Sequence, residues 1–354
     1  MIDVQSVVIY IGLAACVFSL GKLAEVRNQK WAVWGIALLL SLVAGLRAVN
    51  VGIDTKTYTL VFNLIAGGAM EAMYGMEQSF IYICAFLLRL WSNVHFVFFV
   101  LALLSHGLIL FRIWEDRENI SLRWAVLAYY VMFYAFSLNG VRQFVAVAIV
   151  VYATRFVRQG KYFKFVLGIL AAALFHTTAL VGLAYLPFEV LSLRYFSKER
   201  RTKSILLCAA SVVVLLALMP KFLAQYSVFF DRQATSVGFM LLAKILLLLA
   251  SILIIRQATG QRKGGYAAFT YRWYYFTGMA LTSLSYFFRY MGRIGMYYYI
   301  FEAFFIGYIF KVKNYSVGII LLKAAYVFLL AYYLWASITH GGQGEIPYRF
   351  LWQI

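Results

Sequence analysis

Apolar runs recur along all 354 residues, separated by short polar turns. They are continuously apolar, as in Val94–Ile113, rather than alternating, which predicts membrane helices and disfavours a β-barrel. The first run, Val4–Leu20, has no basic region before it and no small-residue cleavage site after it, so it reads as a retained helix. Further segments are predicted at Trp31–Leu46, Gln78–Trp91, Val94–Ile113, Leu122–Phe136, Phe144–Phe156, Ser204–Met219, Gly238–Ile255, Trp273–Phe288, Ile294–Phe310 and Val317–Ser337. Thr59–Met76 is less regular, being interrupted by Asn63, Gly67, Gly68, Glu71 and Gly75. Between two basic turns, Phe165–Leu191 offers about 27 residues to go out and back, too few for two full crossings of roughly 20 each. That length predicts a pair of short or broken helices with His176 near the bend, a form tolerated at membrane depth where it lines a cavity.

Composition strengthens this reading. The chain is 64% apolar and 13% charged, against soluble averages of roughly 45–50% and 25%. Polar stretches do not exceed about 20 residues, too few for a separate soluble domain, so residues 1–354 read as one integral membrane domain. The fold class is all-α and polytopic, with roughly 10–14 transmembrane helices. Cys16, Cys84 and Cys208 lie inside apolar runs without metal-ligand spacing and read as buried small hydrophobes.

The net charge of +19 is spread over short loops, which argues against nucleic-acid binding and for cytoplasmic turns that orient helices. Lys22, Arg27 and Lys30 mark the first turn as cytoplasmic and the N-terminus as outside. The turn Arg155–Lys164 holds four cations and no acid, so it too is cytoplasmic and Arg142 falls at the outer end, with Asp54. Two outer points require an even number of crossings between them. Letting Thr59–Met76 cross makes the count even and puts the charged turn Trp114–Arg123 inside; the alternative is that one of the three clearer segments does not cross. The tail His340–Ile354 then ends outside.

Soluble-enzyme signatures are absent: no phosphate loop, no dinucleotide glycine pattern, no HExxH and no serine elbow. What remains is a polar set that the topology sends to the outer face: Arg47, Asp54, Tyr58, Arg142, Gln143, His176, Arg289 and Arg293. Outward arginines run against the positive-inside trend, and their planar forks suit phosphate or carboxylate. Arg289 and Arg293, four apart, share a helix face. Asp54 is also a natural helix cap, and snorkelling at the interface also explains Arg47 and Arg142. His106 and Arg89 read as packing or snorkelling residues. Glu302 sits mid-segment, to pair with Lys244 or Lys323 or to face a polar cavity.

The series Arg47…Gly52-Ile53-Asp54-Thr55…Tyr58, Val141-Arg142-Gln143, Ala173-Leu174-Phe175-His176, then Arg289 and Arg293, with a final Ile346-Pro347-Tyr348, resembles the EpsG-type family of exopolysaccharide polymerases. The resemblance spans nearly the whole chain in order and spacing. It implies a Wzy-like polymerase of the bacterial inner membrane, of GT-C-like architecture, that transfers a glycan from an undecaprenyl diphosphate carrier to a carrier-linked repeat unit at the outer face. Its partners would be that lipid-linked oligosaccharide and the bilayer, with a flippase and a chain-length regulator alongside. The long outer loop of some Wzy proteins has no match, so acceptor recognition would rest on short loops such as Pro220–Val237.

The residues fit that chemistry independently. Arg142, Arg289 and Arg293, supported by Arg47, would hold the diphosphate and stabilise the leaving charge. Asp54 or His176 would be the base, with Glu77 a sugar-binding acid and Tyr58 and Gln143 lining the substrate. Arginines that neutralise the diphosphate make a metal unnecessary, and no cofactor is called for. A lipid-linked-oligosaccharide flippase, an O-antigen-ligase-like transferase and a membrane acyltransferase would use the same outer-face site.

Overall fold

The computed structural model describes residues 3–71, 73–189, 239–259, 265–286 and 291–353. Expectations for Ser204–Met219, Pro220–Val237, Cys208 and Arg289 lie outside the described residues. Among those described the chain is all-helical, with three helices long and apolar enough to cross a membrane: α1 (Val4–Arg27), α5 (Val94–Glu115) and α13 (Val317–His340).

The apolar runs face outwards as well as inwards. Leu242, Leu246, Leu249 and Leu253 lie exposed along one side of α9 (Phe239–Thr259), and Ile320, Leu321 and Phe328 do the same on α13. A water-soluble bundle would turn such stripes inward; a bilayer accepts them. Cys16 shares this outer surface, correcting its expected burial, whereas Cys84 is buried.

Side-chain contacts define two ends. At one, the basic turns gather: Glu25 pairs with Arg123 at 3.2 Å, Glu115 with Arg155 at 2.7 Å and Asp116 with Arg158 at 3.0 Å. Lys311 donates to the Arg117 carbonyl there at 3.0 Å. At the other end Asp3, the loop after α2 (Lys30–Gly45) and the C-terminal tail meet. The tail pairs with that loop through an antiparallel bridge between Arg47 and Phe350, and Arg349 binds Asp3 at 2.9 Å. Helix α1 therefore runs from the tail end to the basic end and α2 returns, as their apolar pattern predicts. Helices α5, α6 (Leu122–Asn139) and α7 (Val141–Arg158) then run to the basic end, back and down again.

The parity question resolves against the preferred expectation. Helices α3 (Thr55–Ala66) and α4 (Gln78–Leu90) have 12 and 13 residues, well short of the roughly 20 a crossing needs. Both stay at the tail end. Glu77, just before α4, binds Arg142 at the start of α7. Just past α4, His95 near the start of α5 bonds the Gly45 carbonyl that ends α2, at 3.0 Å. Thr59–Met76 and Gln78–Trp91 thus begin and end at the same end of the bundle, and between Asp54 and Arg142 it is α5 and α6 that run from one end to the other and back.

The broken pair expected over Phe165–Leu191 is present in the described part of that range, which ends at Glu189. Helix α8 (Tyr162–Ala173) climbs along α7, bends at His176, and a 3-10 helix (Thr177–Ala184) descends again. Its far end is fixed at the basic end, where Glu189 lies 3.5 Å from Arg158. Helix α10 (Gly265–Ser283) rises beside α11 (Met291–Tyr299), so closely that a Cβ on Gly278 would strike the Tyr299 backbone. Ile294–Phe310, expected as one segment, is two helices meeting at Ile300, the second being α12 (Phe301–Lys311). Glu302 takes the first of its open partners: Lys244 at 2.8 Å, with Tyr275 donating to its other oxygen at 2.9 Å. Lys323 bonds the Val312 carbonyl instead. His106 is a packing residue, buried with its ring bonded to the Tyr129 hydroxyl at 2.6 Å.

Candidate active site

A cavity of about 260 Å³ opens at the tail end, lined by Asp54, Tyr58, Asn139, Arg142, Gln143 and His176, together with Arg293, Gln343, Tyr74 and Phe136. Six separate stretches of sequence bring these groups together: the first turn of α3, the loop between α3 and α4, the α6–α7 junction, the bend at His176, the start of α11 and the C-terminal tail. Gly140, which separates α6 from α7, lets the chain reverse so that Arg142 and Gln143 open a helix facing the cavity.

Glu77 ties two of these stretches together. One of its oxygens pairs with Arg142. The other accepts from His176 Nδ1 at 3.0 Å, from the Thr177 amide at 2.9 Å and from the Thr177 hydroxyl at 3.3 Å. Burial pushes the Glu77 carboxyl up, but the His176 bond and the Arg142 charge outweigh it and hold it down at about 2. An ionised carboxylate only accepts, so Nδ1 carries the hydrogen and the neutral ring keeps its lone pair on Nε2. Glu77, expected as a sugar-binding acid, is not among the residues that line the cavity; its two oxygens brace Arg142 and His176.

Asp54 stands at the N-cap position of α3, yet its side chain makes no cap bond. Its backbone is in the right-handed helical region (φ −90°, ψ −5°), whereas a capping side chain needs an extended one. Its carboxylate is therefore uncommitted among the described residues and borders the cavity. The turn before it depends on Gly52, at φ +94°, where a Cβ would lie 2.8 Å from Thr55 Oγ1 and 2.9 Å from Asn139 Oδ1. Tyr58, one turn along α3, rests against Arg142 and packs among Phe62, Phe80 and Phe98.

Gln143 reaches the Arg293 carbonyl at 2.7 Å and so fixes the start of α11 beside α7. Arg293 itself borders the cavity. Arg47 does not, which corrects both the substrate-binding and the snorkelling readings. It is 1% exposed, bonded to Thr55 Oγ1 at 3.2 Å, to the Leu138 carbonyl at 3.0 Å and to the Ala44 carbonyl, with its guanidinium 4.3 Å over the Phe98 ring. Three chain segments thus share one buried cation. Arg47→Met is expected to lower stability by about 2–3 kcal/mol, through the loss of bonds from a charged donor. Thermal unfolding of the purified protein checks this.

Sequence reasoning missed Asn139, Gln343 and Tyr74. Asn139 accepts the Asp54 amide at 3.2 Å and donates to the Gln343 carbonyl and to its Oε1, at 2.5 and 3.1 Å. A signal for Asn139 lies in the sequence: Ser137–Gln143 is a polar break between the apolar runs Leu122–Phe136 and Phe144–Phe156. Nothing local marked a glutamine some 200 residues away.

Fold and cavity define a polytopic helical membrane protein with a basic, histidine-bearing pocket at one end. The pattern that characterises the EpsG family matches residues 30–350, and the chain belongs to that family. At family level this makes it a membrane protein of exopolysaccharide biosynthesis, of the Wzy-like polymerase kind. No curated protein and no solved structure matches the chain.

Proposed function

We propose that this protein is a polysaccharide polymerase that transfers a glycan from undecaprenyl diphosphate to the sugar hydroxyl of a carrier-linked repeat unit. The cavity would face the outside of a bacterial inner membrane, within a GT-C-like bundle. The observation that carries the reading is the junction at Glu77, where one carboxylate holds an arginine suited to phosphate and a histidine suited to take a proton. Arg142, with Arg293 beside it, holds the diphosphate; Arg289 stays a candidate for the same role.

As the acceptor hydroxyl attacks the anomeric carbon, its proton passes to Nε2 of His176. The bond from that carbon to the diphosphate oxygen breaks, and the arginines take up the charge growing on the leaving group. Glu77 keeps the imidazole in the right tautomer, much as the aspartate does in a serine hydrolase triad. This assigns the base to His176 rather than to Asp54. Two guanidiniums meet the charge of the leaving group, so the transfer calls for no metal.

Vesicles containing the purified protein and lipid-linked repeat units test the assignment. Lengthened glycans are the expected result, and movement of the lipid without lengthening would make the protein a transporter. Single transfer onto an unrelated acceptor would make it a ligase. His176→Gln is expected to cut the rate by about 10²–10⁴-fold, the usual worth of a general base. Asp54→Asn should leave the pH profile of the residual rate unchanged; loss of its alkaline plateau instead would move the base to Asp54.

A further inference from the structure

The basic side of the cavity accounts for a diphosphate but leaves a second set of lining groups without work. Asp54, Asn139 and Gln343 form one hydrogen-bonded series, in which Asn139 is fully engaged and holds the other two in place. Asn139 Oδ1 takes the Asp54 amide, and its Nδ2 holds both the carbonyl and the side-chain oxygen of Gln343. The Asp54 carboxylate and the Gln343 side-chain amide nitrogen have no partner among the described residues, and both residues border the cavity. Thr57 lines it as well, one turn into α3.

Tyr74 completes this side. It is 61% exposed while bordering the cavity, and its backbone has φ +53°, the left-handed region that a bulky residue enters only at a cost. An acceptor carboxylate, a donor amide and an open aromatic face are the groups that recognise a pyranose: vicinal hydroxyls bond to planar polar side chains, and the C–H face of the ring stacks on the aromatic. The apolar lipid chain would not select this set, and the diphosphate would be repelled by Asp54.

The C-terminal tail delivers the amide. Gly52 donates to the Gly344 carbonyl at 2.7 Å and Ile53 to the Gln343 carbonyl at 3.2 Å, so the tail is laid against the Asp54 turn in fixed register. Glu345 then locks the turn, accepting from the Ser337 hydroxyl at 2.7 Å and from the Gln343 backbone N–H at 2.8 Å. These bonds set the place of Gln343 beside the Asp54 turn.

We infer that Asp54, Gln343 and Tyr74 form a sugar subsite for the pyranose attached to the diphosphate, with the tail-borne Gln343 as a specificity-determining residue. The inference rests on the diphosphate reading above and adds the neighbouring sugar. A pocket of about 260 Å³ falls just below the usual small-ligand range of roughly 300–1,000 Å³, which fits one headgroup and its first sugar rather than two repeat units.

Binding of two lipids to the full chain in nanodiscs separates the claims. One is undecaprenyl diphosphate; the other is the lipid-linked repeat unit extracted from cells lacking this protein. The wild type is expected to prefer the repeat unit by about tenfold or more, the equivalent of one or two added hydrogen bonds and a stacking contact. Gln343→Ala and Tyr74→Ala should each erase most of that preference and leave the affinity for undecaprenyl diphosphate within about twofold. Tyr74→Phe should retain the preference, since stacking needs only the ring. Equal loss of both lipids in the variants would show a structural role and overturn the subsite. So would an unchanged preference, or a wild type with none. Failure of the wild type to bind either lipid would instead remove the diphosphate reading on which the subsite stands.

Discussion

Arg142→Ala should reduce polymerisation by about 10²–10³-fold, the range seen when one pre-placed donor to a developing oxyanion is removed. The effect should be large because Arg142 is held before substrate arrives. Glu77 grips its guanidinium, Tyr58 rests against it, and its side chain is only 14% exposed. A donor oriented in advance needs no reorganisation as charge builds on the leaving diphosphate. Arg142→Lys should recover little, since an ammonium cannot keep Glu77 on one edge while bridging phosphate oxygens with the other. The check is the initial rate of glycan lengthening in vesicles, with thermal unfolding run alongside. A folded Arg142→Ala protein that polymerises within about threefold of the wild type would refute the placement of the diphosphate.

The second large effect is on stability. Lys244 on α9 and Glu302 on α12 are 3% and 0% exposed and sit 2.8 Å apart, with Tyr275 on the free carboxylate oxygen and Tyr299 and Tyr333 packed around the ammonium. Removing either partner strands a charge in an apolar interior, so Lys244→Ala or Glu302→Ala should each destabilise by about 3–5 kcal/mol. The double variant Lys244→Met, Glu302→Leu should regain most of that, because no charge is left unmatched. It should fall short of full recovery, since the Tyr275 hydroxyl keeps no acceptor. Unfolding midpoints in detergent measure all three. Additive losses in the double variant would mean that the two side chains do not act as a pair.

The chain-wide pattern was legible because lipid and water sort residues strongly by local composition. Apolar runs marked the helices, and basic turns marked one end, where Arg123, Arg155 and Arg158 do gather with their acidic partners. The shortage of residues in Phe165–Leu191 foretold a broken pair with His176 at its bend. Length arithmetic did less well at Thr59–Trp91. An amphipathic helix that lies at one end of a bundle shares its composition with one that crosses, and only the anchoring of Glu77 and His95 at the same end tells them apart.

At the site, the sequence by itself determined which residue types were out of place in a greasy chain. Asp54, Tyr58, Arg142, Gln143, His176 and Arg293 do converge on one cavity. Tertiary structure decided their tasks. Arg47 and Arg142 are both arginines near the tail-side ends of apolar segments, yet one is spent on three backbone and side-chain acceptors and the other opens onto the cavity. Glu77 stood alone in its stretch until folding set Arg142 and His176, 65 and 99 residues away, against its two oxygens. The cavity wall contributed by Gln343 exists only because the tail pairs with the turn at Gly52. Composition and spacing are local and so can be read along the chain. Which donor meets which acceptor is settled by packing between distant helices, and that has no local signature.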